Sequence, residues 1–240
     1  MFIYFKEKGF MGKRIIARRR GKGSMTYRAQ RKVELKLPKT EGNAKIIDIQ
    51  HISGCNSPVA KLEFEDGTKC QIIASIGTFT NKIIEVSKDA AIMPGNIAPI
   101  SNIPDGSSVY CIESVYKDGG KFCRSSGSFA IIKSHEKDYC FLEFPSKKVK
   151  KLSGNCRAII GKPAGFARTT KPFLKAGNKW KFMKSRGHHF PTTSGSKMNP
   201  VDHPYGGKTH PGKSTSVARN APPGQKIGSI APRRTGKKKK

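Results

Sequence analysis

Acidic side chains are scarce in this sequence: 16 Asp and Glu stand against 47 Lys and Arg, a formal charge of +31 over 240 residues. A folded chain with so little counter-charge repels itself unless a polyanion neutralises it. Nucleic acid is the favoured polyanion, since each phosphate neutralised releases counterions and adds affinity without any reading of sequence. An anionic membrane is the competitor, but the chain lacks both an apolar run of about 20 residues and an amphipathic basic helix. A secretory route lacks support as well. Met1-Phe2-Ile3-Tyr4-Phe5 is too short for a signal segment, and no small-residue cleavage site comes after it. The expected location is the cytosol. No Cys-x-x-Cys occurs; Cys55, Cys70, Cys111, Cys123, Cys140 and Cys156 fall at irregular spacings, mostly inside apolar runs, and read as buried reduced thiols.

The basic excess is unevenly placed. Residues 1–45 hold 14 basic and 3 acidic side chains, residues 46–156 hold 13 and 12, and residues 157–240 hold 20 and a single acid, Asp202. A near-neutral middle therefore lies between two strongly cationic flanks, within a length that suits one or two domains.

The middle reads as strands. Ala60, Leu62 and Phe64 alternate with Lys61, Glu63 and Glu65, the period of a half-buried strand. Asp66-Gly67 supplies a two-residue hairpin turn and Cys70-Gln71-Ile72-Ile73 returns. Further short runs cover 82–86, 109–115, 129–133, 139–144 and 157–160. Turn signals separate them, among them Pro104-Asp105-Gly106, Lys117-Asp118-Gly119-Gly120 and Lys137-Asp138. Such spacing predicts one or two small barrels, with a boundary near Met93-Pro94-Gly95-Asn96.

The flanks are different material. Residues 157–240 contain 11 Gly and 9 Pro among 84 positions and few aliphatic side chains, too little apolar surface to offset the chain entropy of folding alone. Gly and Pro suit a chain threading narrow passages while Arg and Lys meet phosphates. The N-terminal flank repeats the pattern in Lys13-Arg14, Arg18-Arg19-Arg20, Lys22, Arg28 and Arg31-Lys32. Phe166, Phe173, Trp180, Phe182, Phe190 and Tyr205 are interleaved with the C-terminal cations; they suit stacking on bases, or packing on the barrel for Phe173 and Trp180.

Two patterns suggest other chemistry and do not carry it. Gly207-Lys208-Thr209-His210-Pro211-Gly212-Lys213-Ser214 satisfies the phosphate-loop pattern. That loop works only between a buried strand and a helix, whereas Pro200 and Pro204 precede it and Pro222-Pro223 interrupt the stretch from Thr215 to Gly224 on its other side. His188, His189, His203 and His210 with Asp202 match no common zinc spacing. No cofactor is expected beyond magnesium ions able to bridge protein and RNA, and no catalysis, since Asp202 adjoins His203 in sequence rather than facing it across a cleft.

Met198-Asn199-Pro200-Val201-Asp202-His203-Pro204-Tyr205-Gly206-Gly207 resembles the signature of ribosomal large-subunit protein two, a universal family. Met11-Gly12-Lys13-Arg14, Gly95-Asn96-Ile97, Ile103-Pro104-Asp105-Gly106, Gly119-Gly120-Lys121 and Cys156-Arg157-Ala158 keep the family's order. The ending Ile230-Ala231-Pro232-Arg233-Arg234-Thr235-Gly236 is similar to archaeal and eukaryotic members. Residues 1–10 have no counterpart, which makes Met11 the expected start. The resemblance implies an all-β chain: an OB-fold barrel over 46–95, then a Src-homology-3-like barrel over 96–175. Long basic irregular extensions over 1–45 and 176–240 would run into large-subunit ribosomal RNA. It further implies a place near the peptidyl transferase centre, neighbouring ribosomal proteins as partners, and a part in joining the small subunit. Departures from the family pattern are Tyr205 in place of a second histidine, Lys208 in place of a third glycine, and Cys55 and Ser194 where arginines are common.

Charge and resemblance together give Lys13, Arg14, Arg18, Arg19, Arg20, Arg28, Arg168, Lys171, Met198, Asn199, His203, Arg219, Arg233 and Arg234 as the expected RNA contacts, with no catalytic or metal residue. A free RNA chaperone or chromatin component is the alternative reading; a phosphate-transferring enzyme rests on the Gly207 to Ser214 match alone.

Overall fold

The computed structural model describes residues 14–29, 34–203, 205–208, 216–221 and 229–232, with the backbone alone of Thr169. It divides into two compact units, one spanning 31–174 and the other combining 1–30 with 175–240.

The larger unit is one ten-stranded sheet. Its strands are β1 (Gly42–Gln50), β2 (Val59–Phe64), β3 (Lys69–Ile73), β4 (Ile83–Val86), β5 (Ile97–Pro99), β6 (Ser108–Tyr110), β7 (Ala130–Glu136), β8 (Tyr139–Glu143), β9 (Val149–Ser153) and β10 (Arg157–Ile160). They lie in the order β3-β2-β1-β4-β5-β10-β6-β7-β8-β9. All neighbours are antiparallel except β4 and β5, whose parallel contact at Val86 and Ile97 joins the two halves. The architecture is all-β, an OB-fold half followed by a Src-homology-3-like half; among the described residues no strand pair closes either half into a full ring.

Each half has its own core. Ile46, Val59, Leu62, Ile72 and Ile84 pack in the first, and Ile100, Val109, Ile132, Leu142 and Ala158 in the second. Full burial of one such Val, Leu or Ile side chain stabilises by about 1.5–3 kcal/mol. The halves are stitched by Tyr110 of β6, which is buried in the first core and donates its hydroxyl to the Ile73 carbonyl at 2.9 Å. One extra residue bulges β1 between Ile46 and Asp48, and another bulges β7 between Ile132 and Ser134. Each bulge bends and coils its strand, as curved sheets require.

Several expectations change in detail. The β2–β3 turn has three residues, not two: Phe64 N–H donates to the Thr68 carbonyl at 3.0 Å, and Gly67 takes the left-handed φ of 78° that completes such a loop. The strand expected over 109–115 ends at Tyr110, because Cys111 turns left-handed and Glu113 is drawn inward to an arginine. β1, β5 and β9 carry no clean alternation: the bulge breaks it in β1, β5 is three residues ending in proline, and only Leu152 is buried in β9. β10 is buried at all four positions between β5 and β6, so the barrel unit runs past residue 157, where the charge first changes character. Ala164 N–H continues it by donating to the Ala74 carbonyl at 2.9 Å.

The second unit contains α1 (Ile16–Gly21), α2 (Ala176–Lys184) and a parallel two-residue pair, β11 (Ser216–Val217) with β12 (Ser229–Ile230). Composition gave no sign of these two helices.

Candidate nucleic-acid interface

α1 buries no side chain and places Arg18, Arg19 and Arg20 in its last turn, where cations suit the negative end of the helix dipole. Six residues with no apolar face do not form a stable helix by themselves in water, so the segment offers its arginines outward. Beyond it Arg28 Nε donates to the Gly23 carbonyl at 2.7 Å and fixes the adjoining turn.

α2 has no acid in its first turn, and cations of the helix and its C-terminal end rest on aromatic rings. Lys184 Nζ lies 4.7 Å from the centre of the Trp180 ring, and the Arg186 guanidinium 3.5 Å from that of Phe182. Lys179 Nζ sits 5.1 Å over Phe190. Cation–π contacts thus stabilise positive charge where acids are scarce. The helix stops in a Schellman arrangement: His188 N–H donates to the Met183 carbonyl and Gly187 N–H to the Lys184 carbonyl, both at 3.0 Å. Gly187 carries the left-handed φ of 67° that this stop requires.

The stretch Met198 to Gly207 folds on itself. The Asn199 carbonyl accepts from Asp202 N–H at 3.0 Å and His203 N–H at 3.2 Å, while Gly207 N–H donates to the Met198 carbonyl at 3.1 Å. His203 is 7% exposed. Its Nδ1 accepts from Tyr205 N–H at 3.0 Å, so in the neutral ring the proton is on Nε2. The imidazole lies on Gly195, where any Cβ would stand 2.5 Å from it, and Gly206 packs as tightly on the Asn199 carbonyl. The tilted Tyr205 ring is 5.3 Å from that of His203. Asn199 is exposed and Met198 half-buried.

In the barrel unit Arg168 is exposed, with Nε donating to Ser126 Oγ at 2.9 Å, and Lys171 is exposed a few residues on. Deeper lies a charged group that sequence reasoning missed. Glu113, fully buried, accepts from the Arg157 guanidinium at 2.8 and 3.3 Å, from Arg157 N–H at 3.0 Å, and from Lys117 and Gly119 N–H. Arg157 also donates to the Pro38 carbonyl at 2.7 Å, and Arg124 to that of Leu35. The cue was present: an acid in the apolar run 109–115 needs a buried partner. Nearby, burial works to raise the Asp118 carboxyl, but hydrogen bonds from the Ser114 hydroxyl and from Gly120, Ser114 and Val115 N–H outweigh it and hold the group well below the usual carboxylate range. Burial pushes the Cys70 thiol up to about 11 and the Cys111 thiol to about 12, so both stay protonated at neutral pH.

Residues 93–226 match the family model for the C-terminal domain of ribosomal proteins L2. Large ribosomal subunit protein uL2 of Methanothermobacter thermautotrophicus is 44% identical over 241 residues, covering 95% of this chain and 100% of that protein. The uL2 proteins of Archaeoglobus fulgidus and Halorubrum lacusprofundi are 47% and 44% identical over 94% and 95% of this chain and 99% and 98% of theirs. The chain belongs to the uL2 family. It is of the archaeal type, and its uL2 relatives are proteins of the large ribosomal subunit.

On this uL2 chain, Arg14, Arg18, Arg19, Arg20, Arg28, Arg168, Lys171, Asn199 and Arg219 are exposed, whereas His203 is turned into its own loop. The structure gathers Met198, Asn199 and His203 into one motif. Lys13, Arg233 and Arg234 lie outside the described residues, as do 209–215, most of the phosphate-loop match. The segment before that match is a turn rather than a strand. Among the described residues no group of three or more His, Cys, Asp or Glu side chains could hold a metal ion, and no helix is long and apolar enough to cross a membrane.

Proposed function

We propose that this chain is a structural constituent of the large ribosomal subunit whose basic extensions bind large-subunit ribosomal RNA, in the cytoplasm. There it supports the peptidyl transferase region, contacts neighbouring ribosomal proteins, and takes part in subunit association. The domain limits that go with this reading are 46–95 for the OB fold and 96–175 for the Src-homology-3-like barrel, flanked by RNA-binding extensions over 1–45 and 176–240.

The observation that carries it is the exposure of arginine after arginine on a helix with no buried face, in a chain whose residues 46–156 are nearly balanced in charge. Arginine forks fit phosphate oxygens bidentately and fix register, while a self-folded loop such as Met198 to Gly207 offers Asn199 at a defined position. The chemistry at such a site belongs to the RNA, and His203 holds the loop.

Titration of large-subunit ribosomal RNA with the full chain tests this. Affinity should fall about 10³–10⁵-fold between about 50 and about 200 mM salt, the dependence of roughly six to ten phosphate contacts. Affinity that does not change with salt would contradict it.

A further inference from the structure

The joint between the two extensions is a cleft of about 820 Å³. Its walls come from Met25 to Arg28 on one side and from α2 and the residues just after it on the other. Gly187 makes the joint: a Cβ there would stand 2.5 Å from the Tyr27 carbonyl and 2.8 Å from Ala29 N, so only glycine lets the N-terminal segment run so close. The Schellman stop at Gly187 then sends His188 and His189 along the rim, with His189 exposed.

The lining is of one chemical kind. Tyr27, Trp180 and Phe190 supply flat aromatic surface, Arg28 and Lys184 supply positive charge, and His188 adds a ring able to stack or to donate. No acidic side chain lines it among the described residues. Trp180 is 45% exposed, with Lys184 over its ring at 4.7 Å. Aromatic faces beside cations, with no competing carboxylate, are what an unpaired nucleotide requires: a surface for the base and donors for its phosphate. A duplex offers phosphates but keeps its bases stacked, and so meets only half of that lining.

We infer that this cleft receives unpaired RNA, one or two nucleotides splayed out of the helix, with the base on the Trp180 side and the phosphate toward Arg28 and Lys184. This rests on the reading that the extensions bind RNA and adds a class of RNA and a place. The ligand itself locks the two extensions together, because each contributes one wall.

Trp180 is the single tryptophan of the chain, so its emission reports on this cleft alone. The full chain is titrated with an unstructured single-stranded oligoribonucleotide of about eight nucleotides and, separately, with a blunt RNA duplex. Anisotropy of labelled RNA reports binding anywhere on the chain. The single strand is expected to quench Trp180 strongly and the duplex to bind with little quenching. Lys184→Ala and Gly187→Ala should each move the quenching curve to about ten-fold higher RNA concentration, a clearly larger change than either causes in duplex anisotropy. Binding of both RNAs without quenching, or equal quenching by the duplex, overturns the cleft while leaving RNA binding by the extensions intact. Failure of both RNAs to bind overturns both readings, and failure of the single strand alone overturns the cleft. Quenching that neither variant shifts also overturns the cleft.

Discussion

His203 is a histidine that faces its own chain. Its Nδ1 is taken by Tyr205 N–H, its ring lies on Gly195, and its backbone carbonyl accepts from Gly206 N–H at 2.9 Å. A residue so placed shapes the loop that displays Asn199 and contributes through geometry. His203→Ala should leave the melting of the barrel unit within about 0.5 kcal/mol of the parent, yet impair assembly or activity of the subunit in cells carrying only that variant. Normal polysomes and growth in such cells would rule the role out. Tyr205 and Lys208, where the family pattern has histidine and glycine, leave the loop's hydrogen bonds in place, since those run through the backbone and His203.

The hairpin from Cys111 to Cys123 is held by two acids, Glu113 and Asp118, as well as by the buried Ile112 and by Phe122 packed on the second core. Glu113→Ala leaves Arg157 charged, buried and short of its partner, and should destabilise the full chain by about 3–5 kcal/mol in denaturant unfolding. A cost below about 1 kcal/mol would mean that water relieves the charge. Asp118 gives a pH signature. Its folded carboxyl is held below the unfolded value of about 3.9, so its stabilisation is fully present above that pH and is lost as pH falls toward the folded value. Asp118→Asn should therefore be less stable than the parent from neutral pH down to about 4, by about 1–3 kcal/mol, and the gap should close in stronger acid. A gap that stays constant down to about pH 2 would contradict it.

The same hairpin marks where the sequence stops being legible. Strands with clean alternation, β2 above all, can be read directly, because a half-buried face forces the period of two. β1 hides behind its bulge, β9 has one buried residue, and Glu113 interrupts a run whose apolar neighbours suggest a strand. Those features are decided by partners distant in sequence, Arg157 and Pro38 among them, that no local pattern names. The glycine at 187 is readable as a helix stop only once the helix before it is known. For the interface, charge gave the exposed arginines and family resemblance the loop, but the burial of His203 needed coordinates.

Across the molecule the positive charge is unevenly spread: residues 46–156 are nearly neutral, with paired acids, and the extensions are strongly basic, with cations that rest on aromatic rings. Charge of one sign spread over segments with little core of their own is stable only against a polyanion. On the proposed function that polyanion is large-subunit ribosomal RNA. The most direct measurement is co-sedimentation of the native protein with ribosomal particles on sucrose gradients, before and after a high-salt wash. The account predicts one copy per large subunit, retained after the wash because threaded contacts do not dissociate one by one. Loss at moderate salt, or spread across free RNA, would contradict an integral place in the subunit and favour a free RNA-binding protein.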